Sequence, residues 1–240
     1  VGELVDTRLP TRKLDEAEIA ALAKAHLGDV DAASYGTWVY YPWSKRLAHV
    51  LPEAEYRELR TSRNRNKITA DEQTRLRQLR IGILGLSVGQ SSAITLAMEE
   101  VGGEYVLADF DALSLSNLNR LRAGVHDVGV HKAILTARAI FEINPYAKVE
   151  LFPEGINADN MERFLGGSRR LDLLIEECDD FLVKIRIRLS ARRMGIPVVM
   201  ETSDRGLIDV ERFDREPQRP LLHGILDQVD LAKMSGASGD

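Results

Sequence analysis

RIGILGLSVGQSSAITLAMEE at residues 80–100, followed by YVLADFDALSLSNLNR at residues 105–120, decides the fold. Ile81, Ile83 and Leu84 form a short apolar run of the kind a buried strand needs. Residues 85–89 are a glycine turn, residues 91–100 read as a helix, and residues 105–108 as a second strand ending on Asp109. Strand, glycine turn, helix, strand and acid is the layout of a nucleotide-binding βαβ unit. The turn lets backbone approach a phosphate, and the helix behind it aims free N–H groups and a positive dipole end at the same spot. Asp109 can accept hydrogen bonds from ribose hydroxyls.

Working outward, alternating strands and helices continue on the C-terminal side. Helices are expected over 129–144, 157–165 and 182–194, and strands over 149–152, 171–176 and 197–200. That alternation predicts an α/β fold, a Rossmann-like and mostly parallel sheet with helices on both faces. Residues 206–213 (GLIDVERF) alternate with period two, with Leu207, Ile208, Val210 and Phe213 apolar, and read as an antiparallel edge strand. On the N-terminal side, residues 1–78 read as a small, mainly helical region with a basic arm, and residues 79–240 as the nucleotide-binding domain. Residues 1–10 are expected to be poorly ordered. Residues 14–27 have helical spacing up to Gly28, and residues 44–61 are expected to form one or two helices starting at Pro52. The aromatic segment 35–43 (YGTWVYYPW) reads as packing, with a partner-contact surface as the alternative. Thr69 and Glu72 fit a capping box that launches a helix through residue 79.

The totals exclude several classes. A net charge of −5 argues against a dedicated nucleic-acid binder. The single cysteine, Cys178, rules out internal disulfides and a multi-cysteine zinc site in this chain, and fits a reducing, cytoplasmic setting. No apolar run reaches the roughly 18 residues a membrane helix needs. The chain starts on Val1 and closes on SGASGD, which reads as a piece of a longer protein.

The glycine turn alone is ambiguous. Placing Gly85 first in a dinucleotide fingerprint puts Ser87 at the second glycine position and Gln90 at the third. The same residues, Gly85-Leu86-Ser87-Val88-Gly89, satisfy the nucleophile elbow of a hydrolase, with His223 as a late base. A turn without ligand is the third reading. The DFDALSLSNLNR segment is more specific. Asp109 and Asp111 share one side of an extended strand end, and Asn117 and Arg120 follow. Two acids, an amide and a guanidinium suit a ribose with a polyphosphate. Lys132, in the first turn of the helix expected over 129–144, opposes its dipole, so helix stability does not account for it. A triphosphate needs cations and a metal, and Asp179, past the fourth strand, is placed for Mg²⁺; its alternative role is a helix N-cap before Phe181. Arg63 and Arg65, in RTSRNRNKI, are either a solvated basic turn or an anion clamp.

These residues, over about 63–205, resemble the ThiF/MoeB adenylyltransferases, relatives of ubiquitin-activating enzymes; the D-F-D-x-x-x-x-S-N-L-x-R string carries the resemblance. The resemblance implies ATP and Mg²⁺ as cofactors. It implies adenylation of a carboxylate, the C-terminus of a ubiquitin-like carrier protein or of a peptide, within a homodimer. By position it places Asp109 at the ribose, and Asp111, Asn117, Arg120 and Lys132 at the phosphates. It places Asp179 at the metal and one of Arg63 and Arg65 at the ATP, in some members from the partner subunit. The sequence departs from the family in four ways. The turn is GLSVGQ, the paired CxxC zinc motifs are absent, no cysteine follows the fifth strand, and the region after the sheet is short. No zinc is expected, and Cys178 reads as packing. TSDRGLIDVERFD also resembles a subgroup joined to a nitroreductase-like domain. The rival readings are an NAD-dependent oxidoreductase and a nucleotide-binding pseudoenzyme or assembly module.

Overall fold

The computed structural model describes residues 1–201 and 206–226. They fall into two compact units, Val1–Gln73 and the part from Thr74 onward.

In the first unit, α1 (Gly2–Thr7) packs on α2 (Glu16–Leu27) and α3 (Glu53–Arg60). Residues 1–10 are therefore ordered, contrary to the sequence expectation, because Leu4 and Val5 are buried. Asp15 caps α2 through a complete capping box with Glu18. The aromatic stretch departs further from expectation. Thr37–Tyr41 (β1) and Arg46–Val50 (β2) form an antiparallel hairpin. Of the expected helices over 44–61 only α3 exists, starting after Pro52. Strand pairing overrides helical propensity in RLAHV, since each of its residues faces a partner in TWVYY. The packing reading fails for two of the aromatics: Trp38 and Tyr40 are 55% and 59% exposed. Trp38 instead stacks on His49 across the hairpin at 4.3 Å. The Thr69–Glu72 capping box forms as expected and opens α4 (Ala70–Arg77).

The second unit is a six-stranded sheet. Its strands are β3 (Arg80–Leu84), β4 (Glu104–Ala108), β5 (Lys148–Phe152), β6 (Leu173–Glu176), β7 (Val198–Glu201) and β8 (Ile208–Glu211). The spatial order is β5-β4-β3-β6-β7-β8, parallel throughout except for β8. The helices are α5 (Gly89–Glu99), α6 (Lys132–Ile143), α7 (Met161–Gly166) and α8 (Phe181–Met194). Alternate residues of each strand feed opposite cores. Ile81, Ile83, Tyr105 and Leu107 pack with Ala93 of α5 and Ala133 and Ile140 of α6. Leu84, Val106 and Ala108 pack with Phe164 of α7 and Ile185 of α8. This two-sided burial explains why β3 has no exposed position.

The chain steps outward from β3 to β4 and β5, then returns to lay β6 on the other side of β3. The carboxyl ends of β3 and β6 thus flank a topological switch point, where open parallel sheets bind ligands. The opposite end is closed by Arg80, fully buried, whose guanidinium meets Glu104 and Glu150 at 2.7 Å each.

The edge strand β8 runs antiparallel as its alternation predicts, yet its faces are inverted. Ile208 and Val210 are exposed, while Asp209 and Glu211 are buried. The reason is a cation beneath the sheet: fully buried Arg188 of α8 donates to Glu211 at 2.8 Å and also pairs with Glu176. The pairing of Glu211 with Arg188, and of Asp209 with His223, outweighs the apolar pattern at that edge. Among the described residues no helix is long and apolar enough to cross a membrane.

Candidate functional site

Gly85 shapes the switch point. Its φ is +84°, and a Cβ there would lie 2.5 Å from the Glu177 carbonyl oxygen, so only glycine lets the β3 and β6 ends touch. Glu177 N–H donates to the Leu84 carbonyl at 2.7 Å, locking the two ends together. Asp109, at the end of β4, ties the turn down. Its Oδ2 accepts from Leu86 N–H at 2.7 Å and its Oδ1 from Asp111 N–H at 2.8 Å. The helix α5 then starts without a side-chain cap, an arrangement in which first-turn N–H groups can meet an anion. Gly89 is there for packing: a Cβ would lie 2.9 Å from Ile83 Cγ2.

A cavity of about 160 Å³ opens at these strand ends. Gly85, Asp109, Asp111, Lys132 and Asp179 all line it. Lys132 begins α6, is almost wholly buried, and holds Asp111 through Nζ to Oδ2 at 2.7 Å. Ser87 and Arg120 pair with each other nearby, Arg120 Nε donating to Ser87 Oγ at 2.9 Å. Ser87 thus has a guanidinium partner, while His223 hydrogen-bonds Asp209 on β8, so the hydrolase pairing does not form. Asn117 is buried, and its Oδ1 accepts from Ser114 N–H at 3.0 Å. Arg63 and Arg65 belong to the first unit, on the 3-10 turn Ser62–Asn66.

The acidic loop after β6 divides its labour. Glu176 is buried and accepts from Cys178 N–H and from Lys184 Nζ, each at 2.9 Å. Burial pushes its carboxyl up, but the charges of Arg188 and Lys184 outweigh this and hold it below the usual carboxylate range. Asp180, not Asp179, caps α8, accepting from Val183 N–H at 2.9 Å. Asp179 is left exposed at the cavity. Burial raises the Glu177 carboxyl to about 7, aided by the nearby Glu176 and Glu201 charges. Burial also drives the Cys178 thiol well above its ordinary value, with Glu176 adding to the effect. A thiol so held stays protonated and is a poor nucleophile, in keeping with a packing role.

The carboxylates at this cavity outnumber its one lining cation, Lys132, which suits a ligand that brings a divalent cation with it. Among the described residues no three ligating side chains converge to cage a metal. Mg²⁺ fits that arrangement, because it takes one or two carboxylates and draws its remaining ligands from phosphates and water. The apolar wall, made by Phe110, Ile156 and Val183, is what sequence reading missed. Phe110 sits between the two noted acids, but nothing in the string shows that it stands 71% exposed at a cavity mouth.

Residues 61–224 match the ThiF family. The chain belongs to the ThiF family. An uncharacterised protein of Mycobacterium tuberculosis is 47% identical over 199 residues, covering 83% of this chain and 27% of that protein. The probable molybdopterin-synthase adenylyltransferase of Porphyra purpurea is 31% identical over 117 residues, 48% of this chain and 30% of that protein. Among solved structures, Escherichia coli tRNA N6-threonylcarbamoyladenosine dehydratase, TcdA, in complex with ATP superposes with a TM-score of 0.59 at 26% identity. It covers 67% of this chain and 65% of that one. The ThiF chain described here thus spans less than a third of the length of those two curated relatives.

Proposed function

We propose that this protein uses ATP to activate a carboxylate. A carboxylate oxygen attacks the α-phosphorus of ATP, the bond from that phosphorus to the bridging oxygen breaks, and pyrophosphate leaves, giving an acyl-adenylate. The observation that carries the reading is the convergence of Asp109, Lys132 and Asp179 with the Gly85 turn on one cavity at the switch point. ATP bound to a structure of similar fold supports it.

In this reading Asp109 holds the ribose hydroxyls, its carboxylate pre-set by the Leu86 and Asp111 N–H groups. Ser87, Arg120, Lys132, Asp111 and Asn117 surround the phosphates, and one of Arg63 and Arg65 reaches them as a clamp, from the same chain or from a homodimer partner. Asp179 would hold Mg²⁺, which supplies charge neutralisation on the phosphates. The protein's contribution is positioning and electrostatic stabilisation rather than covalent chemistry. The acceptor is the C-terminal carboxylate of a small carrier protein or of a peptide, and the protonated Cys178 argues against a thiol-dependent second step at this site.

The test is ATP–pyrophosphate exchange in the presence of candidate acceptors, with ATP and NAD titrated with and without Mg²⁺. Mg²⁺-dependent ATP binding is expected, and Asp179→Ala should slow exchange by roughly 100-fold or more. Tighter binding of NAD than of ATP, or wild-type exchange in Asp179→Ala, would overturn the assignment.

A further inference from the structure

The first unit holds a cavity of its own, about 430 Å³, which shares no lining residue with the cavity at the strand ends. Arg12, Arg63 and Arg65 line it, against the single acid Asp6. In a chain of net charge −5, three guanidiniums around one hollow form a local positive field. Their internal pairings are weak. Arg12 meets Glu18 at 3.1 Å with both side chains about half exposed, 56% and 44%. Arg65 lies 3.9 Å from Glu58, whose two oxygens are already taken by Arg8 at 2.7 and 2.9 Å. Arg63 has no ion pair among the described residues. Exposed pairs of this kind contribute little, so the guanidinium forks remain available to an incoming oxyanion.

The lining also decides what kind of anion. It contains no aromatic ring on which a nucleobase could stack, and Asp6 alone gives no pair of carboxylates to share a divalent cation with a triphosphate. Leu9 and Pro10 add apolar wall beside the charges. Charged forks next to an aliphatic wall match a short stretch of polypeptide bearing carboxylates. The volume lies in the range of sites that enclose a small organic ligand.

We propose that this cavity binds an acidic peptide segment of the acceptor, with Arg12 and whichever of Arg63 and Arg65 the nucleotide does not take as its carboxylate contacts. The proposal rests on the reading that the acceptor is a peptide or protein tail. It asks the nucleotide clamp to use no more than one of the two arginines on the 3-10 turn.

The test uses this chain and a fluorescent hexapeptide carrying two glutamates beside a free C-terminus, followed by anisotropy. Arg12→Ala should weaken binding about 10-fold or more, the worth of one charged hydrogen bond, and one of Arg63→Ala and Arg65→Ala should weaken it similarly. Raising the salt should weaken it further. Neither the glutamine-substituted nor the C-terminally amidated peptide should match the parent. ATP binding and pyrophosphate exchange with a small acid should be unchanged in Arg12→Ala. Equal peptide affinity in wild type and Arg12→Ala overturns the proposal. Displacement of the peptide by tripolyphosphate at lower concentration than by the unlabelled peptide overturns the ligand class. Absent exchange alongside Arg12-dependent peptide binding would instead remove the adenylation reading and leave this site standing.

Discussion

Replacing Arg188 with methionine should destabilise the second unit by roughly 3–5 kcal/mol, the usual cost of stranding a buried charge. Arg188 is fully buried and serves two buried carboxylates, Glu176 at the end of β6 and Glu211 on β8. Methionine fills similar volume but leaves both acids facing its thioether. Lys184 continues to hold Glu176 at 2.8 Å, so Glu211 loses its cation while Glu176 loses one of two. At roughly 2–4 °C per kcal/mol for a domain of this size, the loss corresponds to a melting temperature lower by about 6–20 °C. The pH dependence carries a sign. In the wild type Glu176 is held below its unfolded value, so its contribution is present above that value and fades as the pH falls through the folded one. Without Arg188, burial dominates and the carboxyl moves up, so the deficit should be largest near neutral pH and shrink toward about pH 4–5. Urea denaturation of both proteins across that range reads the effect. Combining Arg188→Met with Glu211→Met should recover part of the loss, since an apolar pair replaces a stranded charge. A deficit below about 1 kcal/mol, or one that does not change with pH, refutes the view that Arg188 holds these two acids.

Gly85→Ala should cost at least ~1–2 kcal/mol from the left-handed backbone alone, and the clash with the Glu177 carbonyl should separate the strand ends and weaken ATP binding; an unchanged urea midpoint counts against this. Glu177 has a folded value of about 7, above its ordinary 4.5, so ionising it opposes folding and stability falls as pH rises through that window. Glu177→Gln should therefore gain on the wild type between about pH 5 and pH 8, measured on metal-free protein, and an equal difference at both ends sinks the assignment. Cys178 should react with a thiol reagent at neutral pH at least ~10-fold more slowly than free cysteine, and become reactive on adding urea; a fast native reaction would show its thiol to be exposed and ionisable.

The β3–α5–β4 unit was legible because its signals are local. Apolar run, glycine turn and acid lie within 30 residues, and each names its own conformation. Asp109, Lys132 and Asp179 could be placed because parallel strands present their ends on one side. What was illegible depends on distant partners. The inward turn of Glu211 follows from Arg188, more than 20 residues earlier in the chain, and that of Asp209 accompanies a pairing with His223, 14 residues later. Nothing in GLIDVERF reveals that a cation waits below it. The hairpin Thr37–Tyr41 with Arg46–Val50 was missed because aromatic content suggested burial, whereas pairing, not burial, is what orders it. In EECDD the residue types marked an acidic loop. Which member caps α8, which braces the loop and which faces the cavity is set by backbone geometry a string does not contain.

Asp109 spends both oxygens inside the protein before any ligand arrives, one on the Leu86 N–H and one on the Asp111 N–H. An amide is therefore no substitute there, since either orientation of asparagine would point an NH₂ at a backbone donor. Any redesign of this cavity has little freedom at Asp109 and more at the exposed Phe110. The same clamp makes this corner of the cavity a rigid template, so little ordering entropy remains to be lost there when a ligand docks.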